Sequence, residues 1–110
     1  MTATQGLPVR DAVLVGFRSA LDMIYGNRLE RAVLFGSRAR GDFRDESDYD
    51  VAVFLRDFVD RWREMDILVP LVTDIIDEAG AVIHPLPYPA GAWRDRTPLM
   101  HEIRRDGIDL

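Results

Sequence analysis

The stretch Gly36-Ser37-Arg38-Ala39-Arg40-Gly41-Asp42-Phe43-Arg44-Asp45-Glu46-Ser47-Asp48-Tyr49-Asp50 carries the chemistry of this chain. It begins where one apolar run, Arg31 to Phe35, ends, and it finishes where another, Tyr49 to Leu55, begins. Short, partly β-branched apolar runs bounded by turn residues predict buried strands. Glycine followed by serine at a strand end lets the backbone turn tightly and approach a ligand closely. If residues 37–40 form a helical turn, their amides face whatever lies beyond the strand, and with the Ser37 hydroxyl they suit a phosphate. Asp48 and Asp50 stand two apart at a strand start, so both carboxylates project from one face. Carboxylates that close repel each other and favour a hard divalent cation, and magnesium completed by substrate phosphate oxygens fits such a pair. A metal there neutralises triphosphate charge and lowers the pKa of an attacking hydroxyl.

Outward from this stretch, an amphipathic helix is predicted from about Val9 to Tyr25, with Val13, Phe17, Ala20, Leu21 and Ile24 on one stripe and Gly26-Asn27 as its stop. After the second strand, Asp57 is expected to cap a helix from about Phe58 to Glu78. Its apolar face reads as Trp62, Met65, Val69, Val72 and Ile76, which makes Trp62 and Met65 core residues. Pro70 inside it is expected to kink or split it, and Gly80 to end it. Ala81-Val82-Ile83-His84 is a third strand candidate, expected to stop at Pro85, Pro87 and Pro89. Tyr88 and Trp93 follow in a proline-rich loop, either as interface residues or packed on the sheet. A short helix from about Pro98 to Arg105 precedes Gly107. This alternation predicts an α/β (α+β) protein, a small sheet flanked by helices, in one domain spanning residues 1–110.

The chain has 110 residues, no cysteine, and a net charge of −5 from 19 acidic and 14 basic side chains, all of the basic ones arginine. Disulfides, thiolate zinc sites and lysine chemistry are thereby excluded, and a phosphate clamp must use arginine forks or backbone amides. The acidic balance argues against extended nucleic-acid binding. No apolar stretch approaches the roughly 20 residues that span a bilayer, and no secretion signal is recognisable at the start, so a cytoplasmic location is expected.

Gly-Ser, ten residues, then Asp-x-Asp resembles the signature of DNA-polymerase-β-like nucleotidyltransferases. The fuller string GSRARGDFRDESDYDVAVFL looks like the minimal nucleotidyltransferase (MNT) proteins of prokaryotes, commonly encoded beside a HEPN-domain protein as toxin–antitoxin pairs. The resemblance implies the polymerase-β-like fold with a small mixed β-sheet. It implies phosphate binding at Gly36 and Ser37, magnesium binding at Asp48 and Asp50, and phosphate or partner contacts from Arg38 and Arg40. Active members usually carry a third carboxylate on the next strand, and this chain has none between Ala81 and Pro87; His84 falls near the expected place, as a base, a metal ligand or a packed structural residue.

A calcium loop fits less well, since the closing glutamate and twelve-residue spacing are absent. Arg44 reads as a surface charge and Ser47 as a turn or capping residue. Three functions follow from the resemblance. The first is an antitoxin transferring AMP from ATP, with magnesium, to a tyrosine hydroxyl of a HEPN toxin. The second is a module that neutralises the toxin by binding alone. The third is a small-molecule transferase of the aminoglycoside type.

Overall fold

A computed structural model describes residues 11–44 and 47–110. Helix α1 (Ala12–Tyr25) starts on Asp11, whose Oδ1 accepts the amides of Val13 (2.8 Å) and Leu14 (3.4 Å). Its expected start at Val9 lies outside the described residues. A 3₁₀ turn (Gly26–Arg28) leads into β1 (Leu29–Phe35), two residues longer at its start than the apolar run suggested. One helical turn, α2 (Ser37–Arg40), and a polar loop connect β1 to β2 (Tyr49–Leu55), which has the bounds read from the sequence. Then come α3 (Arg61–Ala79), β3 (Ile83–Pro89), a 3₁₀ turn (Ala92–Arg94), α4 (Pro98–Asp106) and β4 (Ile108–Asp109).

The strands form one mixed sheet in the order β3-β2-β1-β4. The β1–β2 and β1–β4 pairs are antiparallel, whereas β2–β3 is parallel, because α3 carries the chain back over the sheet between them. Strand alternation splits the core in two. On one face Leu34, Val51, Val53 and Leu55 pack with Leu14, Phe17 and Leu21 of α1 and Leu68 of α3. On the other, Val33, Phe35, Ala52 and Phe54 pack with Met100 and Ile103 of α4. Tyr88 and Trp93 join this second cluster, and the Tyr88 ring stacks on Phe54 at 5.8 Å. Among the described residues no helix is long and apolar enough to cross a membrane.

Three local expectations fail, each for a physical reason. Asp60, not Asp57, caps α3, its Oδ1 accepting the Arg63 amide at 2.9 Å; Asp57 sits at φ 57° in the connection. Trp62 is 79% exposed, and Val69 and Ile76 are exposed with it. The helix instead buries Glu64 and Leu68, with Leu71 and Ile75 packed behind them, a stripe that the charge of Glu64 hides from an apolar count. Pro70 does not split the helix, because the amide it lacks would lie on an exposed side.

The prolines do not end β3 either. Strand residues point their N–H and C=O alternately to the two sides, and Val82 and Ala90 bond to β2 through Tyr49 N and Leu55 O. Even-numbered positions therefore face β2. Among the described residues no strand pairs with the other side of β3, and Pro85, Pro87 and Pro89 lack donors only on that side, where none is needed.

Candidate active site

Because odd positions of β2 face the α1–α3 core, Asp50 must face α4, and Asp48 just before the strand shares that side. In register, Asp50 lies between Phe35, the last residue of β1, and His84 of β3. The His84 imidazole spans both acids, with Nε2 3.3 Å from Asp48 Oδ2 and Nδ1 3.7 Å from Asp50 Oδ1. The sheet thus brings Asp48, Asp50 and His84 together, with His84 in register beside Asp50 on the strand expected to carry a third carboxylate.

The turn after β1 closes the site. Gly36 is buried at φ 75°, ψ −158°, and an added Cβ would lie 2.5 Å from Asp50 Oδ2. Only glycine meets both demands: a backbone that side chains avoid, and direct contact with a carboxylate. The amides of Ala39 and Arg40 both bond to the Gly36 carbonyl at 3.1 Å. Not all of the amides from 37 to 40 are therefore available to a ligand, as the sequence had suggested.

The two arginines of the turn separate. Arg40 reaches toward α4, with Nη1 3.3 Å from Glu102 Oε2 and Nε 3.4 Å from Asp42 Oδ2. Arg38 turns to the other face. Its Nε donates to the Ser47 carbonyl at 3.0 Å, and its guanidinium lies 3.9 Å from the Tyr49 ring centre and 4.6 Å from that of Phe43. It borders a hollow of about 240 Å³ walled by Leu14, Leu34, Phe43, Tyr49 and Ile108. Tyr49 donates its hydroxyl to Asp11 Oδ2 at 2.8 Å; burial, and then Asp11, push its phenol up to about 12. This hollow does not include the aspartate pair; in it Arg38 packs on Tyr49 and Phe43 and ties down the loop through the Ser47 carbonyl.

Burial raises the Asp50 carboxyl above its usual 3.8; Asp48 and Glu102 raise it further, while His84 and Arg40 pull it back. Such a group gains from a nearby cation. Two oxygen donors on one face, one of them held above its usual range by burial and a neighbouring acid, fit a hard divalent ion whose other ligands are water or phosphate oxygens. The aspartate pair is the oxygen-donor set that this face offers such an ion, with the His84 imidazole lying across it. Glu102 was not foreseen. It lies 62 positions from Arg40 on a helix whose apolar spacing shows only that Met100 and Ile103 face the sheet.

A profile of the family described as "Polymerase beta, Nucleotidyltransferase" matches residues 22–84. The chain belongs to that family. Residues 22–84 run from α1 through the glycine-serine turn and both aspartates to His84. Two proteins of Methanocaldococcus jannaschii, both named as protein adenylyltransferases, are similar to this nucleotidyltransferase. One is 24% identical over 98 residues, covering 89% of this chain and 95% of the relative. The other is 35% identical over 68 residues, 62% of each chain. Among solved structures, a toxin–antitoxin pair with AMP-PNP superposes with a TM-score of 0.55 at 20% identity, over 84% of this chain and 68% of that one. An MntA–HpeT toxin–antitoxin mutant reaches 0.57 at the same identity and coverage. At such identities these structures speak to the fold alone.

Proposed function

We propose that this nucleotidyltransferase is a protein adenylyltransferase antitoxin of the MNT type, which transfers AMP from ATP to a hydroxyl of a HEPN-domain toxin. The observation that carries this reading is the placement of Asp48 and Asp50 on one face, with Gly36 against Asp50. The names of the similar proteins, and the toxin–antitoxin pairs that share the fold, support it.

Asp48 and Asp50 would hold Mg2+, which would screen the triphosphate and make the α-phosphorus more electrophilic. Gly36 lets the backbone approach the phosphates, Ser37 offers its hydroxyl, and Arg40 offers its guanidinium fork. The acceptor oxygen attacks the α-phosphorus in line, the α–β phosphoanhydride bond breaks, and pyrophosphate leaves. The acceptor's proton passes to the His84 imidazole, which stands where a third carboxylate would take it. The chain contributes mainly positioning and charge stabilisation. In this reading the 110 residues act as one domain in the cytoplasm.

A second reading is favoured by one observation: β3 supplies an imidazole and no carboxylate beside the pair. A module lacking efficient proton transfer would neutralise its toxin by contact alone. Intact-mass analysis of the neighbouring toxin, incubated with this protein, ATP and Mg2+, separates the two. Gains of AMP mass that vanish with Asp48→Ala support transfer; a stable complex with no gain in mass supports binding alone.

A further inference from the structure

Arg40 is the cation of an acidic neighbourhood. Its guanidinium engages Glu102 and Asp42, and its charge is also felt at the carboxyl groups of Asp50 and Asp106. Glu102 in turn bears on Asp50 and Arg105, so α4 places an extra negative charge beside the carboxylate pair. The Glu102 side chain is 30% exposed and that of Arg40 40%, so the pair sits at the rim of the site, open to an incoming anion. A phosphate chain arriving at the glycine-serine turn therefore meets an arginine whose fork is already occupied.

We infer that Glu102 is a positioning residue that holds Arg40 against α4 in the nucleotide-free protein, and that nucleotide binding exchanges the Arg40–Glu102 pair for an Arg40–phosphate pair. The inference rests on the nucleotidyltransferase reading of the site. It assigns Glu102 a cost to affinity: part of each nucleotide's binding energy goes into displacing a carboxylate. A polyphosphate carries enough charge to compete for the fork, whereas a single phosphate displaces Glu102 poorly.

The test is a titration of Mg·ATP and of AMP into the wild-type protein, Glu102→Gln, Glu102→Ala, Arg40→Ala and the Arg40→Ala/Glu102→Ala double variant, each checked for an unchanged fold by circular dichroism. Removing the Glu102 charge should tighten Mg·ATP roughly two- to fivefold, the range of a partly exposed ion pair. It should tighten AMP by no more than that, and lower KM in toxin modification with kcat nearly unchanged. Without Arg40 the Glu102 substitution should do little. Equal tightening in the Arg40→Ala background would reduce Glu102 to a diffuse negative charge and overturn the exchange. An unchanged affinity in both Glu102 variants would overturn it as well. If no protein in the series, wild type included, bound Mg·ATP, the nucleotidyltransferase reading itself would fall, and this inference with it.

Discussion

Gly36 and Asp50 are in direct apposition: a methyl group at position 36 would stand 2.5 Å from the Asp50 carboxylate oxygen. The glycine also holds φ 75° with ψ −158°, a conformation that side chains avoid. Gly36→Ala is therefore expected to lose stability by about 2–3 kcal/mol, combining backbone strain with a displaced side chain. Because that side chain is Asp50, Mg2+ binding should weaken even at temperatures where the variant remains folded. Thermal melts with and without Mg2+ measure both effects. A variant as stable as wild type, with unchanged metal binding, would refute the contact.

Asp50 itself destabilises the metal-free protein near neutral pH. Its carboxyl is held above 3.8 chiefly by burial, so the folded state keeps the proton longer than the unfolded chain does. The stability linked to this group is fully present below the unfolded value and is lost as pH rises through the folded one. At pH 7 the ionised side chain is thus a net cost. Asp50→Asn should raise the Tm of the metal-free protein by about 2–4 °C, while Mg2+ should no longer stabilise it. The same variant should transfer no AMP. A lower Tm for Asp50→Asn in the presence of chelator would contradict the argument.

Glu64 is 1% exposed and its Oε2 lies 2.5 Å from Arg28 Nη2. Arg28 also spans to the carbonyls of Arg56 and Asp57, which ties α3 to the end of β2. Burial, then Glu64, holds the Tyr25 phenol well above its ordinary 10.0. Glu64→Ala should cost about 2–4 kcal/mol, because it leaves the guanidinium without its partner and opens a cavity beneath α3. Urea titration measures the loss, and a change under about 0.5 kcal/mol would show that the pair contributes nothing net.

Glu64 also shows where the sequence was legible and where it was not. Tyr49–Leu55, the glycine-serine turn and the shared face of the two aspartates could be read directly, because each follows from local backbone geometry. The buried face of α3 could not be read that way. Its inward stripe contains a charged residue whose partner, Arg28, lies 36 positions away, and the competing apolar row of Trp62, Val69 and Ile76 looked better by period alone. Glu102 escaped for the same reason, since nothing local to α4 says that it will stand beside β2. Two substitutions in α3 separate the alternatives. Trp62→Ala should shift stability by less than about 0.5 kcal/mol, whereas Leu68→Ala, fully buried on the other side of the helix, should cost about 2–4 kcal/mol.

The prolines of β3 lead to the last prediction. A strand with prolines at alternate positions looks like a broken strand, yet here every missing donor falls on one side, and that side is the open edge of the sheet. The arrangement keeps the β2–β3 ladder intact while leaving the outer edge without donors at positions 85, 87 and 89. Exchanging Pro85 and Pro87 together for valine restores two outward donors without altering the pairing to β2, and valine favours an extended backbone. The double variant should keep its fold by circular dichroism but associate through that edge, giving concentration-dependent dimers or larger species by sedimentation. If it sediments as the wild type does across the accessible concentrations, edge protection is not what these prolines provide. Their role would then lie in stiffening the strand that carries His84 to its place beside Asp50.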